Sequence, residues 1–159
     1  MNLDFSEVRR AALFNLIPSP ASLPALILRT RDLDPINRRA AFTHVLAEVP
    51  CKTLSASQRE EAIGRGLRDR EEAVSKAAKR LVVKWAEEVG GVIEVSQKLE
   101  ATHVSNRILI MLVSVQFLQL FDLAESIVAE KALEAIFELK PDWLDAIEFD
   151  GEPPRPQLS

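Results

Sequence analysis

Few residues in this 159-residue chain are equipped for chemistry. His44 and His103 lie in different segments, and neither has a second His, Cys or carboxylate at ligand spacing, so the sequence offers no metal site. Cys51, the sole cysteine, follows Pro50 with no base beside it, which argues against a nucleophile. It can close no disulfide within the chain, which fits a reducing compartment. No Gly-rich phosphate loop opens a helix. Asp69, Glu71 and Glu72 could be imagined as acid and base, but charge at a helix start is the ordinary reason for such a cluster. His44 reads as a residue packed on a helix flank. No catalytic, cofactor-binding or metal-binding residue is assigned. A small helical enzyme would need a pocket bringing His44 or His103 against a carboxylate.

What remains is the chemistry of cations. From 66 to 85 the chain reads GLRDREEAVSKAAKRLVVKW. Val74, Ala77, Ala78, Leu81, Val82 and Trp85 recur at i, i+3, i+4, i+7, i+8 and i+11, which gathers them on one side of a helix. Lys76, Arg80 and Lys84 step by four along the opposite side, with Lys79 beside them. One helix thus offers an apolar face to a neighbour and a basic row to solvent or a polyanion.

The unit recurs. Val8-Arg9-Arg10-Ala11-Ala12, Asn37-Arg38-Arg39-Ala40-Ala41 and Val74-Ser75-Lys76-Ala77-Ala78 start 29 and then 37 residues apart. Acidic residues precede each copy and a hydrophobic run follows it. Such a period is the mark of a helical solenoid, whose units stack because none buries its apolar face alone. The alanines let neighbouring helices approach and cost least in helix propensity.

Composition agrees. The chain is 47% hydrophobic and 28% charged, lacks Tyr, and carries a net charge of −4. That charge is uneven: residues 27–84 hold 13 Lys/Arg against 8 Asp/Glu, and residues 85–159 hold 5 against 14. Only the first half would face a polyanion. No alternating β-branched run predicts a strand. The N-terminus lacks a basic-then-apolar signal sequence. The apolar stretch 108–113 falls short of the roughly 20 residues a membrane span needs and predicts a buried helix.

The elements follow from caps and breakers. Asp4 caps a predicted helix over 5–16, ended by Pro18 and Pro20. Ser22 precedes a short helix to about Thr30, with Pro24 in its first turn. Asp34 and Pro35 start a helix reaching about Glu48, with Ile36, Phe42, Val45 and Leu46 facing more than one neighbour. Ser55 and Gln58 form a capping box for a helix to about Leu67, where Gly64 and Gly66 imply close packing or an early stop. The basic helix then runs from near Glu71 to Gly90-Gly91. Further helices are predicted over 92–99, 105–121, 123–139 and 142–149. Trp85 and Trp143 read as core or interface aromatics. The reading is all-α, a HEAT-like α-solenoid of stacked antiparallel helix pairs over 1–149, with a flexible Pro-rich tail over 150–159.

These stretches resemble a known family. Residues 6–13 (SEVRRAAL), Leu23-Pro24 with Arg29 to Asp34, Arg38-Arg39-Ala40, Leu54-Ser55 with Gln58-Arg59-Glu60, and above all GLRDR with its spacing to Trp85 are similar to the HEAT-repeat subunit of condensin, the CAP-G type. Members have a Val-like residue before the Arg of each repeat and a basic residue after it, where this chain has Asn37 and Ser75. They are several-fold longer, so the expectation is a truncated or partial member. The resemblance implies a non-catalytic scaffold, nuclear and chromosomal. It implies binding to the kleisin subunit and the rest of the condensin complex, and to double-stranded DNA without sequence preference, in mitotic condensation.

On this reading Arg29, Arg31, Arg38, Arg39, Arg68, Arg70, Lys76, Lys79, Arg80 and Lys84 are candidate DNA contacts, aligned by the solenoid on one edge. Such a strip meets phosphates rather than bases. The scarcity of free aromatics argues against single-strand stacking. The alternative reading is that Arg31-Asp32 and Arg68-Asp69 pair between repeats, the other cations are solvated, and the chain is a general α-solenoid scaffold for protein partners without DNA binding.

Overall fold

The computed structural model describes residues 5–90, 114–121 and 126–143. Helix α1 is Ser6–Asn15, α2 is Leu23–Leu28, and a 3-10 turn Arg29–Arg31 extends α2. Helix α3, Pro35–Ala40, continues into a π turn, Ala41–Val45, and a 3-10 turn, Leu46–Glu48. After a 3-10 turn at Cys51–Thr53 come α4, Ala56–Gly66, α5, Glu72–Gly90, and α6, Ser126–Leu139. Residues 114–118 are also helical, and there is no strand among the described residues. The predicted helix over 92–99, the start of that over 105–121, the end of that over 142–149 and the tail over 150–159 lie outside the described residues.

Helices α1, α3 and α5 carry the three copies of the repeated motif. They pack in sequence order, α1 on α3 and α3 on α5, while α2 packs on α4 and α4 on α6. Two layers of stacked helices result, as an α-solenoid requires. Helix α6 also lies along α5.

Local chemistry sets the boundaries. The Asp34 carboxylate accepts the Ile36 N–H at 2.9 Å, with Pro35 at the first helical position of α3. Ser55 and Gln58 exchange the two bonds of a capping box, 3.2 and 2.9 Å. Ser22 departs from expectation. It makes no cap bond to α2, because its hydroxyl donates to the Ser19 carbonyl at 3.1 Å and is tied up in the preceding turn. The helix expected to run smoothly to Glu48 widens at Ala41. That change of pitch lets one continuous stretch feed two cores: Phe42 and Leu46 join the main one, and Val45 joins Leu13, Leu26 and Ala40 beneath α1. Ile36, expected to be packed, is exposed.

Helix α5 is the spine of the main core. Val74, Ala77, Ala78, Leu81, Val82 and Trp85 are all buried, as their spacing requires. Trp85 packs in a cluster with Phe42, Leu46, Ile63 and Phe117. Burying each aliphatic side chain of this size contributes about 1.5–3 kcal/mol. The two glycines of α4 mark close approaches. A Cβ on Gly66 would lie 2.5 Å from Ala78 Cβ on α5, and one on Gly64 would lie 3.3 Å from a Val128 methyl on α6. Arg59 sits within this core as a fastener. Its guanidinium donates to the carbonyls of Leu120, Cys51 and Leu54, at 2.8, 2.8 and 2.5 Å.

Candidate nucleic-acid interface

The turns that enter α3 and α5 are built alike. In each, an aspartate accepts the N–H two residues on: Asp34 N–H to Asp32 at 3.0 Å, and Glu71 N–H to Asp69 at 2.9 Å. Each aspartate also accepts a guanidinium fork from the preceding motif helix. Arg9 of α1 grips Asp32 at 2.8 and 2.9 Å, and Arg38 of α3 grips Asp69 at 2.7 and 3.0 Å. Arg38 reaches back as well, donating to the Asp32 and Leu33 carbonyls at 2.9 and 3.2 Å. One buried side chain therefore joins two successive turns. Arg10 adds a parallel link, to Asp34 at 2.7 Å and Asn37 at 3.1 Å.

The electrostatics follow. Burial alone would raise the Asp69 carboxyl, but the Arg38 fork and the Glu71 N–H outweigh it and hold it below its usual range. At Asp32 burial is likewise opposed, by Arg9, the Asp34 N–H and Asn37, with the same net direction. The Arg38 guanidinium is held more firmly protonated by Asp69. Bidentate geometry of this kind makes the stronger class of ion pair.

This placement revises the expected pairing. The aspartates of the turns do link repeats, but their cations are Arg9 and Arg38, not Arg31 and Arg68. Arg38, a candidate DNA contact, is turned inward with a side chain only 9% exposed. The signal was present: Arg38, Ala41, Phe42 and Val45 stand at i, i+3, i+4 and i+7, so Arg38 shares the apolar stripe. At the equivalent place in α5 stands Ser75, whose hydroxyl lies 3.5 Å from the Leu67 carbonyl.

The other candidates divide into engaged and unengaged cations. Arg29 is half-buried, 3.7 Å from Asp32. Lys76 pairs with Glu72 at 2.7 Å on the open surface. Lys79 pairs with Glu138 of α6, and Lys84 donates to the Ala47 carbonyl. Arg31, Arg39, Arg70 and Arg80 are exposed and make no ion pair among the described residues. Arg68 is exposed too, but its Nε donates to the Gly64 carbonyl at 2.7 Å, folding the side chain back over α4.

Three of these cations meet in one place. Between the two turns lies an open groove of about 580 Å3, lined by Arg31, Arg65, Arg68 and Arg70, with the Arg38–Asp69 pair and Asp32 also on its wall. Five guanidiniums face two carboxylates there. Arg65 was not singled out from the sequence, although it precedes Arg68 by three and shares its side of the chain. It pairs with Glu61, and its Nη1 is enclosed without a hydrogen-bond partner. A concave site with excess guanidinium and no aromatic lining suits an oxyanion rather than a base.

Cys51 and His44 are placed apart from this groove, while Asp69 lies on its wall, held by Arg38. Cys51 is fully buried, and burial, aided by Glu88, pushes its thiol up to about 11. His44 is exposed and sets its ring against Phe14, centroids 4.5 Å apart. His103 lies outside the described residues. Among the described residues no His, Cys, Asp or Glu cluster could hold a metal ion, and no helix is long and apolar enough to cross a membrane.

No family model matches the chain. Curated relatives do. The chain is 32% identical over 149 residues to condensin complex subunit 3 of Saccharomyces cerevisiae, covering 91% of this chain and 12% of that protein. It is 30% identical over 147 residues to condensin complex subunit 3 of Schizosaccharomyces pombe, covering 91% and 14%. The human protein of that name is 33% identical over 101 residues, covering 62% and 10%. Among solved structures, a chain in the crystal structure of the S. pombe condensin Cnd3-Cnd2 subcomplex superposes with a TM-score of 0.75 at 29% identity, covering 94% of this chain and 18% of that one. This chain therefore spans less than a fifth of the length of each of these relatives.

Proposed function

This chain belongs to the condensin complex subunit 3 family, and from that premise we propose that it is a non-catalytic HEAT-repeat scaffold that binds the kleisin subunit and contacts double-stranded DNA in mitotic chromosome condensation. Its place is then the chromosome, within the condensin complex. The observation that supports the DNA part is the set of exposed cations on the first repeats that have no carboxylate partner among the described residues: Arg31, Arg39, Arg70 and Arg80. Such cations neutralise phosphates and release counterions, so binding is independent of sequence and falls steeply with salt. The kleisin part is supported by the solved neighbour, which is a subcomplex with a second condensin subunit.

A second reading, a scaffold for protein partners alone, draws on α5. There Lys76 and Lys79 are paired with carboxylates and Lys84 with a carbonyl, so the basic row is largely spoken for within the fold. A titration of labelled duplex DNA at several salt concentrations, with and without a kleisin peptide, separates the two. The DNA reading expects weak binding by the chain alone, a linear fall of log affinity with log salt, and tighter binding with the peptide. No duplex binding in low salt under either condition leaves the protein-only scaffold.

A further inference from the structure

We infer that the outer face of α1 and α2 is the docking surface for a second copy of this chain, joined to the first about a two-fold axis. This pairing requires neither DNA nor a kleisin. It starts from the repeated motif. In α3 and α5 the motif's first residue and its two alanines are packed: Asn37, Ala40 and Ala41, then Val74, Ala77 and Ala78, are buried. In α1 the same three positions are open. Val8 is 65% exposed, and Ala11 and Ala12 are exposed beside it. Phe5, Val8, Ala12 and Leu16 stand at i, i+3, i+7 and i+11, one exposed apolar stripe along the whole of α1. Helix α2 adds Ala25 and Leu28, both exposed. Between the two helices lies an apolar groove of about 240 Å3, lined by Ala12, Leu13, Leu16, Ala25 and Leu26. A solenoid face left to water is ordinarily polar, and contiguous apolar patches of this extent mark interaction sites.

The chemistry of the face suits a copy of itself. No residue of the stripe bears a charge, so two identical stripes bring no like charges together. Arg9 and Arg29, at one end of the groove, are both drawn to Asp32, at 2.8 and 3.7 Å. The Asn15 amide at the rim donates to the Ala11 carbonyl at 2.7 Å. Shape agrees. Laid antiparallel, two copies of α1 set Phe5 of each over the Leu16 end of the other's groove. Ala11 and Ala12 fall near the crossing, where their size lets the helices approach closely. From their exposures these side chains offer roughly 500 Å2 per copy and about 1,000 Å2 in the pair, the lower bound for a specific interface. The expected assembly is a dimer that forms at high concentration and dissociates on dilution.

The test is sedimentation velocity of the full chain between about 1 and 300 μM, a range that brackets micromolar pairing. The wild type is expected to shift from monomer to dimer across it. Val8→Glu and, separately, Leu28→Lys put a charge on the face of each copy. Both side chains are exposed, so each variant should fold, which circular dichroism and the urea midpoint check. Each is expected to raise the dimer dissociation constant by more than about tenfold, and Arg39→Ala, on α3, to leave it unchanged. A wild type that stays monomeric throughout overturns the inference, as does a dimer that survives either substitution in a folded variant. Binding of a kleisin peptide to a monomeric chain, lost in Val8→Glu, also overturns it and gives the face to the peptide. None of these results bears on the duplex titration, so the DNA reading stands or falls separately.

Discussion

Replacing Arg38 by alanine should be among the most damaging single changes to a charged residue of the first repeats. The side chain makes four hydrogen bonds, two to Asp69 and two to backbone carbonyls of the preceding turn. Both members of the pair are nearly enclosed, at 9% and 10% exposure, so water screens it little. Removing one partner of a buried pair costs about 3–5 kcal/mol, because the other charge is left uncompensated. In a domain of this size each kcal/mol moves the melting temperature by about 2–4 °C. The expected fall is therefore roughly 6–20 °C. Urea unfolding followed by the fluorescence of Trp85, which is fully buried, reads the same loss as a lower midpoint with an unchanged slope. The neighbouring Arg39→Ala is the control: exposed and without an ion pair among the described residues, it should stay within about 0.5 kcal/mol. A double-mutant cycle with Asp69→Asn should return a coupling of about 2 kcal/mol. A loss below about 1 kcal/mol for Arg38→Ala, or an equal loss for Arg39→Ala, refutes the argument that this fork holds the two turns together.

Other expectations follow from the same contacts. The depressed Asp69 carboxyl contributes stability that is fully present above its usual value of 3.8 and is lost as pH falls through the folded value. The gap between wild type and Asp69→Asn in urea midpoint should hold steady through neutral pH and close in acid; a gap independent of pH would contradict the pairing. Gly66→Ala would force a Cβ to 2.5 Å from Ala78 and 2.6 Å from Phe42, so it should cost about 1–3 kcal/mol or more despite alanine's better helix propensity. Gly64→Ala, whose nearest atoms stand at 3.2 and 3.3 Å, should cost less, and a reversed order of the two midpoints would be inconsistent with these distances. Cys51, enclosed and with its thiol raised to about 11, should resist alkylation at neutral pH and react only as urea opens the fold. Rapid labelling of the native protein would place it elsewhere.

The sequence made local features legible and left long-range ones dark. Helix starts at Asp34 and Ser55, the buried stripe of α5 and the close approach at Gly66 depend on residues within a turn or two, and periodicity exposes them. The repeat itself was readable because α1, α3 and α5 solve the same packing problem. The fate of each cation was harder. Arg38 and Arg39 are adjacent and chemically identical, yet a rotation of about 100° sends one into the interior and the other to solvent. Its partner lies 31 residues away, at a distance no periodic pattern encodes. The groove was harder still, since it forms only where two turns from different repeats come together. Arg65 shares its side of the chain with Arg68, but only tertiary placement sets the two against the turn that bears Arg31.

The double grip of Arg38 has a mechanical consequence. A load applied at one turn passes through the guanidinium to the next turn as well as through the apolar core. The first two junctions therefore flex as one stiff beam. At the third motif Ser75 takes the place of this strut, and among the described residues α5 is tied to α6 by packing and by the more exposed Lys79–Glu138 pair, which yield more readily under shear.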